Sequence, residues 1–156
     1  MRKLCALGTV LTLLAAGCGG GDTASTTTTV TPGPADEAAA RALVRVQAEL
    51  RRGNFATAWQ SLHPAERKVV SVQRLAACYP RTEFPPTVTF RATRVEDVVW
   101  QVPGTSSISE AKAVTITATS GGEKVATFKQ HAVRAGGRWT WMLSSAYFKK
   151  TKNGTC

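Results

Sequence analysis

"AKAVTITATSGGEKVATFKQHAVRAGGRWTWML", residues 111–143, alternates apolar and polar side chains and is broken twice at glycine pairs. Val114, Ile116 and Ala118 alternate with Thr115, Thr117 and Thr119, which is the two-residue period of a half-buried strand. "SGGE", Ser120–Glu123, predicts a hairpin turn into a strand over Lys124–Arg134. "AGG", Ala135–Gly137, predicts a second turn into Arg138–Ser144, with Trp139 and Trp141 on one face. Upstream, Thr87–Ala92 alternates through Val88, Phe90 and Ala92. After a slip near Arg94 and Val95 the pattern resumes at Val98, Trp100 and Val102, as in one long bulged or bent strand. About four antiparallel strands follow from these patterns.

The preceding residues carry a helical period. Between Asp36 and Arg52 the apolar positions Ala39, Leu43, Val46 and Leu50 are spaced by four, three and four, and Gly53 supplies the stop. Phe55, Ala58, Trp59 and Leu62 predict a short second helix, ended by His63-Pro64. Ser71 suits the cap of a third, in which Val72, Leu75, Ala76 and Tyr79 share a face. Helices first and a strongly bent antiparallel sheet afterwards make an α+β fold.

The N-terminus has a different character. Arg2 and Lys3 precede an apolar stretch, Leu4–Ala16, which is the layout of an export signal. The stretch is short of the roughly 20 residues that a membrane-spanning helix needs. It ends in "LAAGC", Leu14–Cys18, which resembles the lipobox of bacterial lipoproteins, with alanine at Ala15 where leucine is commoner. The resemblance implies cleavage between Gly17 and Cys18 and a lipid on the Cys18 thiol. Residues 1–17 are then the signal peptide. Residues 18–35, rich in Gly, Thr and Pro, cannot bury enough apolar surface to fold and are expected to form a flexible tether. Residues 36–156 are long enough for one modest core. The expected location is the extracytoplasmic face of the cell membrane, in the cell envelope.

With Cys5 removed and Cys18 lipidated, Cys78 and Cys156 remain, and an even pair in an oxidising compartment reads as a disulfide. A zinc site is the rival reading, but no His pair accompanies the two cysteines. The chain has 20 basic against 10 acidic residues. Its basic residues are scattered, as on a solvated surface. Nucleic acid is not an expected partner outside the cell. A basic groove beside the tether would point instead to anionic lipid or wall polymer.

"RGNFATAWQSLHPAERKVVSVQRLAACY", residues 52–79, resembles the helical opening of small extracytoplasmic domains in the nuclear transport factor 2-like (cystatin-like) superfamily. "GGRWTWML", residues 136–143, is similar to that superfamily's closing strand. The resemblance implies a cone of helices across a bent sheet, with a pocket at the open end. Trp59, Tyr79, Phe90, Trp100 and His131 are the candidates to line it, although aromatic residues at these spacings also serve as core.

Chemistry is sparse. The mature chain has two histidines, His63, which suits a helix cap, and His131, inside a strand. Glu96 and Asp97 stand at the presumed strand bend, as in a solvated turn. No catalytic or phosphate-cradling motif is present, and no metal or cofactor is expected. The leading reading is therefore a membrane-anchored, non-catalytic domain that binds an envelope protein or a small apolar ligand. The alternative is a small isomerase- or dehydratase-type enzyme with a pocket carboxylate or His. For the anchor, a labelled fatty acid should enter the wild-type chain and not Cys18→Ala; undiminished labelling of the variant would refute it.

Overall fold

The structure, a computed structural model, describes residues 33–79, 84–103 and 105–156. The expected signal, Cys18 and nearly all of the expected tether lie outside these residues. Helix α1 (Pro34–Arg52) begins two residues before Asp36. Proline is preorganised for the first helical position, and the Asp36 carboxylate accepts the Gly33 amide at 3.1 Å. Its buried stripe is Ala39, Leu43, Val46 and Leu50, joined by Gln47. Gly53, at φ 80°, closes it in the left-handed conformation.

Three short helices follow. They are α2 (Phe55–Gln60), α3 (Pro64–Arg67) and α4 (Val72–Cys78). Helix α2 ends at Gln60, before the expected His63-Pro64 stop, so Leu62 lies outside it, and Pro64 starts α3, a turn that the apolar spacing did not predict. The His63 Nδ1 caps α3 by accepting the Ala65 amide at 3.3 Å. The Ser71 hydroxyl caps α4, accepting from the Arg74 amide at 3.2 Å.

The sheet is a curled antiparallel meander, β1 (Thr89–Gln101), β2 (Ile108–Ser120), β3 (Glu123–Ala135) and β4 (Arg138–Met142), in that spatial order. The last strand stops at Met142 rather than Ser144. There the Ser144 hydroxyl accepts the Tyr147 amide at 3.3 Å and opens α5 (Ser145–Asn153), a helix not foreseen in the sequence. Glu96 and Asp97 lie within β1 and not at a bend. Glu96 is paired with Arg94 and Lys129, each at 2.9 Å, and Asp97 with Lys112 at 2.6 Å.

The slip in β1 is a bulge. Ala92 pairs with Ile116 and Arg94 with Thr115, so Thr93 is the extra residue. One inserted residue exchanges the faces of everything after it. Phe90, Ala92 and Val95 pack inward on the main core beneath α1, with Leu43, Val114 and Ile116. Val98 and Trp100 point to the opposite face and join a second cluster of Val102, Ala111, Val133 and Met142. Helix α1 lies across the sheet and touches all four strands.

A disulfide joins Cys78, the last residue of α4, to Cys156, with Cα atoms 5.1 Å apart. It spans 78 residues, a loop whose closure stabilises the fold by about 4 kcal/mol in the chain-entropy estimate. Replacing both cysteines by serine should therefore lower the melting temperature by roughly 10 °C or more. A double variant that melts with the wild type would show the bond to be dispensable.

Candidate functional site

Strand β3 is longer than its neighbour. β4 pairs only with His131–Ala135, and the chain then leaves the sheet through Leu143 towards α5. On that side no described strand covers Phe128, Lys129 and Gln130. A cleft of about 360 Å³ opens there, between this strand edge, the second half of α1, the end of α4 and the start of α5. Its floor is polar: buried Gln47 donates from Nε2 to Gln130 Oε1 at 2.5 Å. Its walls are aromatic, with Tyr79, Phe128, Trp141 and Tyr147. Phe128 is braced by Phe90 at a ring-centroid distance of 6.4 Å, and Tyr79 by Phe55 at 5.8 Å.

Of the five residues singled out in the sequence, two reach this cleft. Tyr79 lines it, and so does the His131 position. Gln130 points inward to α1, so His131 points outward, and its ring is stacked on Trp100 with centroids 3.6 Å apart. Burial, and then the charge of Lys129, lower the His131 pKa. Phe90 stands behind the wall and packs in the main core. Trp59 also packs on that core, its indole N–H donating to the Val70 carbonyl at 2.6 Å. Trp100 belongs to the second cluster.

Two contributors were missed. Gln47 is spaced four after Leu43 and three before Leu50, so the helical stripe alone could have placed it inside. Tyr147 depends on α5, whose only signals were the Ser144 cap and the Gly154 stop.

A third missed residue lies away from the cleft wall. Glu66, in α3, is fully buried. Its Oε2 accepts the Leu143 amide at 3.2 Å, while the described residues offer Oε1 no partner. Burial pushes the carboxyl up to about 8, against the lowering pull of the Leu143 N–H. Glu66 is therefore held neutral at neutral pH.

Among the described residues no group of three or more His, Cys, Asp or Glu could hold a metal ion. No described helix is long and apolar enough to cross a membrane. Comparison with protein-family models, curated proteins and solved structures finds no match to this chain.

The Glu66 carboxyl sets a pH dependence of stability. Its folded pKa lies above its ordinary one of 4.5, so the folded state retains a proton that the unfolded chain releases. Stability present below pH 4.5 is lost as pH rises towards 8, at up to about 1.4 kcal/mol per pH unit. His63 and His131, with lowered pKa values, act only below their ordinary 6.5. Urea midpoints should therefore fall between pH 6.5 and 8 in the wild type and stay level in Glu66→Gln. An unchanged slope in the variant would assign the effect elsewhere.

Proposed function

We propose that the chain is a lipid-anchored, non-catalytic envelope protein whose folded domain holds an extended segment of a partner protein in the cleft beside β3. The observation that carries this reading is the uncovered edge of β3 at the cleft floor. Backbone N–H and C=O groups on such an edge can pair with an added strand, while neighbouring pockets select its side chains. Tyr79, Phe128 and Tyr147 supply amphipathic walls of the kind enriched at protein interfaces. The lipobox-like LAAGC and the Cys78–Cys156 bond support the extracytoplasmic location.

A small apolar ligand is the second reading, favoured by the same aromatic walls. An isomerase- or dehydratase-type activity needs a carboxylate or imidazole directed into the cleft. Glu66 is bound to the Leu143 amide and His131 is stacked on Trp100, so this alternative has less support.

A photo-crosslinking amino acid at Gln130 should yield a discrete protein adduct in native envelopes. The same group at Thr93, on the bulge of β1, should yield none. Tyr147→Ala should weaken the Gln130 adduct several-fold. Identical products from both positions, or none from Gln130, would sink the partner reading. A non-protein mass that stays bound in native mass spectrometry and is lost in Phe128→Ala would replace it with the ligand reading.

A further inference from the structure

The chain enters the domain at Gly33, and the end at which it enters has an unusual surface. The β1–β2 connection and the β3–β4 turn lie at this same end because the strands alternate in direction. Lys112 fastens the start of α1 here, bridging Asp36 and Asp97 at 2.6 Å each. Moving outward along the same sheet face, the next pairs are Val99–Glu110 and Gln101–Ile108. Val99 is 73 % exposed and Ile108 70 %, the two most exposed large apolar side chains of the described residues.

Asp97 and Glu110 share a shallow depression with Val99, and cations line two other recesses of the domain. On one side a groove runs between Pro34 and Ala38 of α1 and the β3–β4 turn, with Arg134 and Arg138 on its wall. On the other, a recess of about 560 Å³ separates residues 101–103 and 105 from α5 and is edged by Lys149 and Lys152. None of these four cations forms an ion pair among the described residues. The carboxylates at this end are mostly engaged: Asp36 and Asp97 hold Lys112, and Glu37 holds Arg41 at 3.1 Å. Glu110 remains.

Exposed aliphatic tips on a surface that also presents Lys and Arg suit a lipid interface, the tips among acyl chains and the cations on phosphates. The position of Gly33 selects the occupant. Residues 18–32 span at most about 50 Å fully extended, so a lipid on Cys18 presents the bilayer to this end at high effective concentration. A soluble partner gains nothing from that proximity.

We propose that the Gly33 end of the domain docks on an anionic bilayer, with Val99 and Ile108 in the headgroup region and Arg134, Arg138, Lys149 and Lys152 on lipid phosphates. This inference rests on the lipid-anchor reading and extends it from tether to domain.

The lipidated full-length protein, reconstituted in phosphatidylcholine vesicles with or without phosphatidylglycerol, tests it. An environment-sensitive fluorescent amino acid is placed at Val99, or at Val125, an exposed valine at the opposite end. With phosphatidylglycerol, the probe at 99 should shift to the blue and be quenched several-fold by lipid-borne quenchers, while the probe at 125 stays aqueous. Arg134→Gln with Arg138→Gln, or Lys149→Gln with Lys152→Gln, should reverse most of the quenching. Equal signals at both positions, or an aqueous probe at 99, would overturn docking.

Flotation of the same samples reports the anchor separately. Wild-type protein that fails to float refutes the anchor. In that event, salt-sensitive binding of Cys18→Ala to anionic vesicles through position 99 would still support the docking surface, and its absence would remove it.

Discussion

Trp141 is where the helical half and the sheet hold each other. Its amide donates to the Ser61 carbonyl at 3.1 Å, its carbonyl accepts the His63 amide at 2.9 Å, and its indole N–H donates to the Ala58 carbonyl at 2.7 Å. These bonds make Leu62 a parallel bridge on the outer edge of β4. An edge strand that would otherwise offer unpaired backbone is thereby covered. The open edge is displaced to the part of β3 that β4 does not reach, and the cleft forms there. Trp141 is itself among the residues that line the cleft, so the contact that closes one edge also shapes the recess beside the other.

Glu66 completes that arrangement two residues later, at Leu143. Beyond Met142 the strand has ended, and the Leu143 amide would be buried without an acceptor, at a cost comparable to a lost hydrogen bond. The Glu66 carboxyl supplies the acceptor and lets the chain turn away towards α5. A buried carboxyl is a costly acceptor unless it keeps its proton, which is the source of its raised pKa. Nothing in the sequence marks it. Next to Arg67 and Lys68, Glu66 reads as one more solvated charge, and only the packing of α3 beneath the end of β4 makes it interior.

The periodic elements were legible. Two glycine pairs bound β3, and the stripe of α1 appears as the sequence spaces it. The break in β1 was legible as a slip, but its consequence follows only from the register. One extra residue at Thr93 sends Phe90 and Trp100 to opposite faces, so the aromatic candidates could not all line one pocket. Glu96 and Asp97 suggested a solvated turn because the alternation slips just before them, near Arg94 and Val95. β1 is an edge strand, where charges are tolerated, and both have cationic partners on β2, β3 or β1 itself. Helix α5 escaped because its nine residues bury only Phe148 and Thr151, too few for a helical period to stand out. The cleft was illegible for the same reason: it is bounded by the end of one strand and the start of that helix.

Helix α1 relates the two surfaces. Its first turn is fastened by Lys112 beside Val99, and its later turns carry Gln47 and Leu50 to the cleft. From Pro34 to Leu50 an α-helix rises about 24 Å. The cleft therefore lies up to about that distance from the start of α1. The Cys78–Cys156 bond and the Arg74 guanidinium, which donates to the Lys152 carbonyl, hold α5 against α4. Under both proposals α5 serves each surface, with Lys149 and Lys152 on the recess beside residues 101–103 and Tyr147 at the cleft. A rigid α5 is then what allows lipid contact and partner capture to coexist in one small domain.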